Sequence, residues 1–141
     1  MNNYNDMFEY QIFNETNTKI SINLINIIEK ALDKWNSIIT YNPSGRVIRT
    51  DIFFKNMGKI NVLGNASPIY AIGNNFGDMF TTRAKITLNI DEISDFDDNF
   101  IYYAILHEVG HALGIGVYWY YDNSPIKSYQ EDDNIYRKYY I

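Results

Sequence analysis

The chain has no cysteine, which excludes a disulfide framework and any thiolate metal site. A cysteine-free chain suits either redox compartment. Histidine is almost as scarce: there are two, so a nitrogen-ligated metal centre would have to draw on that pair. Cationic excess is also missing. Twelve Lys and Arg stand against 17 Asp and Glu, and the net charge of −5 argues against nucleic acid as the main partner, because phosphate contacts need Lys and Arg. No apolar run approaches the roughly 18 residues that a membrane span requires. The opening Met1-Asn2-Asn3-Tyr4-Asn5-Asp6 has no basic residue followed by an apolar core. It reads as a polar tail rather than a secretory signal, which makes an intracellular location the default expectation. No internal repeat, low-complexity tract or domain linker is visible.

What remains is the composition of one globular unit. At 141 residues the chain can build one core, and 46% hydrophobic with 21% charged residues is the balance of a soluble domain. We read residues 1–141 as a single domain, with a polar tail over 1–7, a core over 8–114 and a short C-terminal segment over 115–141. Alternation of large apolar and polar residues predicts a strand at Phe8–Phe13. From Leu24, apolar residues recur at 27, 28, 31, 32, 35, 38 and 39, the spacing of an amphipathic helix, with Ser21 or Asn23 placed to cap it. Val47–Phe54 has strand composition, Ile60–Leu63 is a shorter strand candidate, and Ala84–Ile90 alternates again. Gly64–Tyr70 contains Pro68, which cannot donate to a ladder, so this segment suits a sheet edge. An acidic stretch, Ser94–Asp98, precedes an apolar helix over about Asn99–Leu113, and Gly114 is placed to end it. Beyond it, Tyr118–Tyr121 reads as a core plug or a pocket wall, and Ser128–Tyr140 as a polar tail that could form a helix.

Both histidines fall in that second helix, in Ile105-Leu106-His107-Glu108-Val109-Gly110-His111-Ala112-Leu113-Gly114. Residues four apart share a helix face, with Cβ atoms about 6 Å apart, so two imidazoles can reach one ion. Glu108 sits beside the first of them, where a carboxylate can touch a metal-bound water. H-E-x-x-H is the zinc signature in which the Glu serves as general base. The competing reading is a buried helix with two structural histidines. Against it, each polar group in the apolar run would cost roughly 1–3 kcal/mol if buried unpaired, and a shared cation relieves both rings.

On these residues the chain resembles the metzincin zinc peptidases, whose motif continues H-E-x-x-H-x-x-G-x-x-H. Leu63–Pro68 looks like the edge-strand region of matrixin-like members, Thr87–Asp91 like the strand before their active-site helix, and Trp35 fits the first helix. Gly114-Ile115-Gly116-Val117-Tyr118-Trp119 is closer to leishmanolysin-related proteins. The resemblance spans roughly residues 8–119. It implies an α+β fold, the upper subdomain of a zincin: a mixed, mostly parallel sheet with an edge strand, packed on two main helices, the second carrying the motif, with a C-terminal subdomain short or missing. It also implies a zinc-dependent endopeptidase. Zn²⁺ would be held by His107 and His111, Glu108 would be the base, and a peptide or protein substrate would lie extended along Ala66, Ser67, Pro68 and Ile69. The sequence departs from the clan at two points. Val117 occupies the third-His position, and no Met follows Met79 to form a Met-turn. A thermolysin-like arrangement would make Glu131 the third ligand. Asp132, Asp122, Tyr118, Tyr120, water or another subunit are the other options. The alternative implied by the same departures is an inactive zincin-fold binding module lacking that ligand.

Overall fold

A period of two in some segments and near 3.6 in others dictates a mixture of strands and helices. A computed structural model gives the order β1 (Phe8–Asn14), α1 (Ile22–Ile38), β2 (Ile48–Lys55), β3 (Gly64–Ile72), β4 (Phe80–Asn89), α2 (Ile90–Ile93), α3 (Asp98–Ala112), β5 (Ile126–Glu131) and β6 (Asn134–Tyr139). The structure describes residues 7–40, 42, 44–73, 79–117, 126–131 and 134–139, the last two segments by their backbone.

Four strands form one sheet in the order β1-β2-β4-β3. β1 runs parallel to β2, and β2 parallel to β4, whereas β3 lies antiparallel to β4 and forms an edge of the sheet. The sheet is therefore mixed and mostly parallel, in an α+β chain. Even-numbered positions of β2 and β4, among them Ile48, Ile52, Phe54, Ala84, Ile86 and Leu88, join Phe8 of β1 in the buried core. The helices close that core. α1 contributes Leu24, Ile27, Ile28, Ala31 and Leu32, and α3 contributes Ile101, Ile105, Val109 and Ala112. Odd-numbered residues occupy the opposite face, where Phe13 and Phe53 stack at 4.7 Å.

Caps set the helix ends. The Ser21 side chain accepts from the Leu24 amide at 3.1 Å, and Asp97 accepts from that of Phe100 at 2.8 Å. Of the two caps considered for α1, Ser21 is the one used, and the acidic stretch before α3 supplies its cap at Asp97.

Two sequence expectations need correction. Ile60–Leu63 is not a strand: residues 56–63 form a connection pinned to the end of β4. Buried Asn89 accepts from the amides of Met57 and Asp91 and donates to the carbonyls of Gly58 and Val62. Asp91 accepts from the Gly58 amide at 2.8 Å and from Asn56 at 2.9 Å, bonds that hold its carboxyl below the ordinary range. Glu92 accepts from the amide of Asn61, whose φ is +59°. These side chains take the backbone groups that a ladder would otherwise use. The tail, in turn, is not helical. Ile126–Glu131 and Asn134–Tyr139 pair antiparallel, from Ile126↔Tyr139 to Glu131↔Asn134. Isoleucine and tyrosine favour strands, and each run has the other alongside as its ladder partner.

Candidate metal centre

The motif occupies the last two turns of α3, and three features hold that helix in place. Trp35 on α1 donates its indole N–H to the Leu106 carbonyl at 2.9 Å. Gly110 lets the two helices approach: a Cβ there would stand 3.2 Å from Trp35 Cζ2. Gly114, at φ +104°, then ends the helix, as its place after the motif implied. The Ile115 amide bonds back to the Gly110 carbonyl at 3.0 Å, and the Gly114 amide to that of His111 at 2.9 Å. This pair of bonds is the Schellman closure, with a left-handed glycine just past the cap.

On this frame His107 Nε2 and His111 Nε2 stand 2.9 Å apart, with ring centroids at 4.5 Å and ring planes at 89°. The two rings therefore converge through the same nitrogen. Two nitrogens on one tetrahedral zinc, each at 2.0–2.1 Å, would be about 3.3–3.4 Å apart, so a small rotation of either ring reaches that spacing. His107 is exposed, while His111 and Glu108 are half-buried. Partial burial pushes the Glu108 carboxyl above its ordinary range, and the two imidazoles within electrostatic reach pull it part of the way back.

The protonation of the pair can be read from its neighbours. His111 Nδ1 lies 2.8 Å from the Ile115 carbonyl oxygen. A carbonyl only accepts, so Nδ1 carries the proton, and in the neutral ring His111 Nε2 then presents a lone pair. With both rings neutral, His107 Nε2 then donates to His111 Nε2, and for His107 to offer that nitrogen to a cation its proton must pass to Nδ1. A backbone carbonyl on the far nitrogen is a common outer support for a metal-bound imidazole. The donor set thus fits a borderline-soft divalent cation such as zinc.

The structure brings His107, Glu108 and His111 together on one helix. Ala66, Ser67, Pro68 and Ile69 lie on β3, the edge strand, as their composition implied, and α3 packs against that strand. The β3–β4 register slips around Ile69, a bulge of the kind found at sheet edges and beside active sites. Among the described residues no group of three or more His, Asp or Glu is placed to share an ion. Glu131 ends β5 instead of sitting on a helix, which removes the setting expected for a thermolysin-like ligand. Its side chain lies outside the described part, as do Asp132, Asp122 and Tyr118–Tyr121. Val117 is half-buried in the turn after α3. The Ile115 carbonyl and Gly116 were not foreseen. A backbone acceptor leaves no mark in side-chain identity, and the alternating Gly114 and Gly116 were the one available hint. No helix among the described residues is long and apolar enough to cross a membrane. The chain matches no protein-family model, no curated protein and no solved structure.

Proposed function

We propose that this chain is a zinc-dependent metalloendopeptidase. The observation that carries the reading is the convergence of His107 Nε2 and His111 Nε2 beside a half-buried Glu108 whose carboxyl is raised. His107 and His111 hold the ion. When bound, zinc would supply Lewis acidity, lowering the pKa of water from 15.7 toward about 7 and polarising the scissile carbonyl. Glu108 takes the proton of the attacking water and returns it to the leaving amine. A carboxyl held above the usual range is better matched to that exchange near neutral pH than a fully solvated one. The outer edge of β3 offers backbone groups to an extended peptide, which would add as a further strand. Pro68 interrupts that edge, since it has no N–H, and the bulge at Ile69 re-aims the chain just after it.

The experiment is hydrolysis of a mixed peptide library by the full chain with zinc, compared with Glu108→Gln. The expected outcome is cleavage by the wild type, lost by at least 100-fold in the variant while zinc affinity is kept, since general acid–base groups contribute 10²–10⁴-fold. Equal cleavage by both proteins excludes Glu108 as the base. Val117 at the third-His position favours a second reading, a non-catalytic zinc-binding module of the same fold. Tight one-to-one zinc binding with no cleavage of any peptide would select it.

A further inference from the structure

We infer that Gly116 is a positioning residue: it fixes the peptide plane whose carbonyl sets the tautomer of His111, and so pre-forms the Nε2 lone pair before any metal arrives. This rests on the reading of His107 and His111 as a ligand pair, but it concerns a state of the metal-free chain that can be observed directly.

The Ile115 oxygen belongs to the peptide that ends at the Gly116 nitrogen. That plane is fixed on one side by the Ile115 amide, tied to the Gly110 carbonyl at 3.0 Å. On the other side it is fixed by the Gly116 backbone, at φ +78°. After it, the Val117 amide returns to the Gly114 carbonyl at 2.9 Å. With both neighbours anchored, the orientation of the carbonyl is coupled to φ of residue 116. A β-branched residue is disfavoured at positive φ, and relaxing to negative φ rotates the plane and carries the oxygen away from His111 Nδ1. A Cβ on Gly116 would stand 3.6 Å from His111 Cε1 and Nδ1, an ordinary van der Waals contact, so the constraint at this position is the positive φ and not space.

The consequence is chemical. A neutral imidazole in water ordinarily prefers its proton on Nε2, the nitrogen that here must bind the ion. The Ile115 carbonyl reverses that preference at 2.8 Å. The two rings therefore hold opposite tautomers: His111 protonated at Nδ1, and His107 protonated at Nε2 and donating to its partner across 2.9 Å. Half of the pair is preset for coordination, and one ring rather than two must change tautomer, its proton passing from Nε2 to Nδ1. Hydrogen-bond partners of this type, behind a metal-bound imidazole, change metal affinity by roughly 10–100-fold when lost.

The test is long-range ¹H–¹⁵N correlation of the histidine rings in ¹⁵N-labelled full chain, with EDTA, at a pH where both rings are neutral. The expected spectrum shows one ring protonated at Nδ1, assigned to His111 by its absence in His111→Ala, and one protonated at Nε2. Gly116→Val should move His111 toward the Nε2–H form and weaken zinc binding, read by competition with a chromophoric chelator, by about 10–100-fold. Gly116→Asn tolerates positive φ and should keep the Nδ1–H form and most of the affinity. Backbone amide shifts outside residues 107–117 report whether each variant is folded. A wild-type His111 protonated at Nε2, or a folded Gly116→Val with an unchanged tautomer, overturns the inference. An Nδ1–H His111 in a chain that binds no zinc supports the tautomer assignment and overturns the metal reading instead, so the two failures are distinguishable.

Discussion

Thr50 and Glu108 show how a single polar atom acts on this molecule. The Thr50 hydroxyl is buried on β2, with no hydrogen-bond partner among the described residues. Leaving such a group unsatisfied costs roughly 1–3 kcal/mol, and valine has the same shape without the hydroxyl. Thr50→Val is therefore expected to raise stability by about 1 kcal/mol, checked by the midpoint of urea unfolding at unchanged slope. Glu108 acts through pH. Its folded carboxyl is raised, mainly by burial. The folded state thus holds its proton to higher pH than the unfolded chain does. The stabilisation this provides is complete below the ordinary carboxylate range and is lost as pH rises through the folded value. In metal-free protein Glu108→Gln should match the wild type in acid and exceed it in Tm at neutral pH. Thermal scans in EDTA at several pH values check this, and a Tm difference independent of pH would count against it.

At the scale of elements, the placement of α3 depends on a contact that neither helix shows by itself. Trp35 bonds the Leu106 carbonyl and fills the space opened by Gly110. Trp35→Phe removes the donor and shrinks the ring, which should cost about 1–3 kcal/mol. Gly110→Ala on the wild-type background presses a methyl 3.2 Å from a ring held by its hydrogen bond, while on the Trp35→Phe background the methyl has room and gains helix propensity. A double-mutant cycle by urea unfolding should therefore show coupling of at least about 0.5 kcal/mol, and additive effects would mean that the two side chains do not share the space. α1 itself was legible in the sequence, because Ser21 and the 24-27-28-31-32 stripe are local signals. Residues 56–63 were not legible as a loop. Their conformation is set by Asn89, Asp91 and Glu92, which lie about thirty residues downstream.

For the molecule as a whole, a cation that binds the folded chain and not the unfolded one couples the site to global stability. Free zinc at 100 times its Kd should add about 2.7 kcal/mol, a Tm rise of roughly 10 °C for a domain of this size. His107→Ala and His111→Ala should each abolish most of that rise, measured by thermal unfolding with and without zinc. An equal zinc-induced shift in both variants would place the metal elsewhere.

The sequence by itself determined which residues make up the candidate site. With only two histidines, four apart on an apolar helix, no other pair of imidazoles could meet, and the helical period alone puts them on one face. It also marked Gly64–Tyr70 as suited to an edge, because Pro68 cannot complete a ladder. Tertiary structure decided the rest. The 2.9 Å convergence of the two Nε2 atoms depends on ring rotations, and one of those is held by the Ile115 carbonyl, a backbone group with no signature in residue identity. The strand pairing of Ile126–Glu131 with Asn134–Tyr139 was likewise a matter of partners, because a short segment rich in isoleucine, tyrosine and charge can follow either periodicity until another strand lies alongside it.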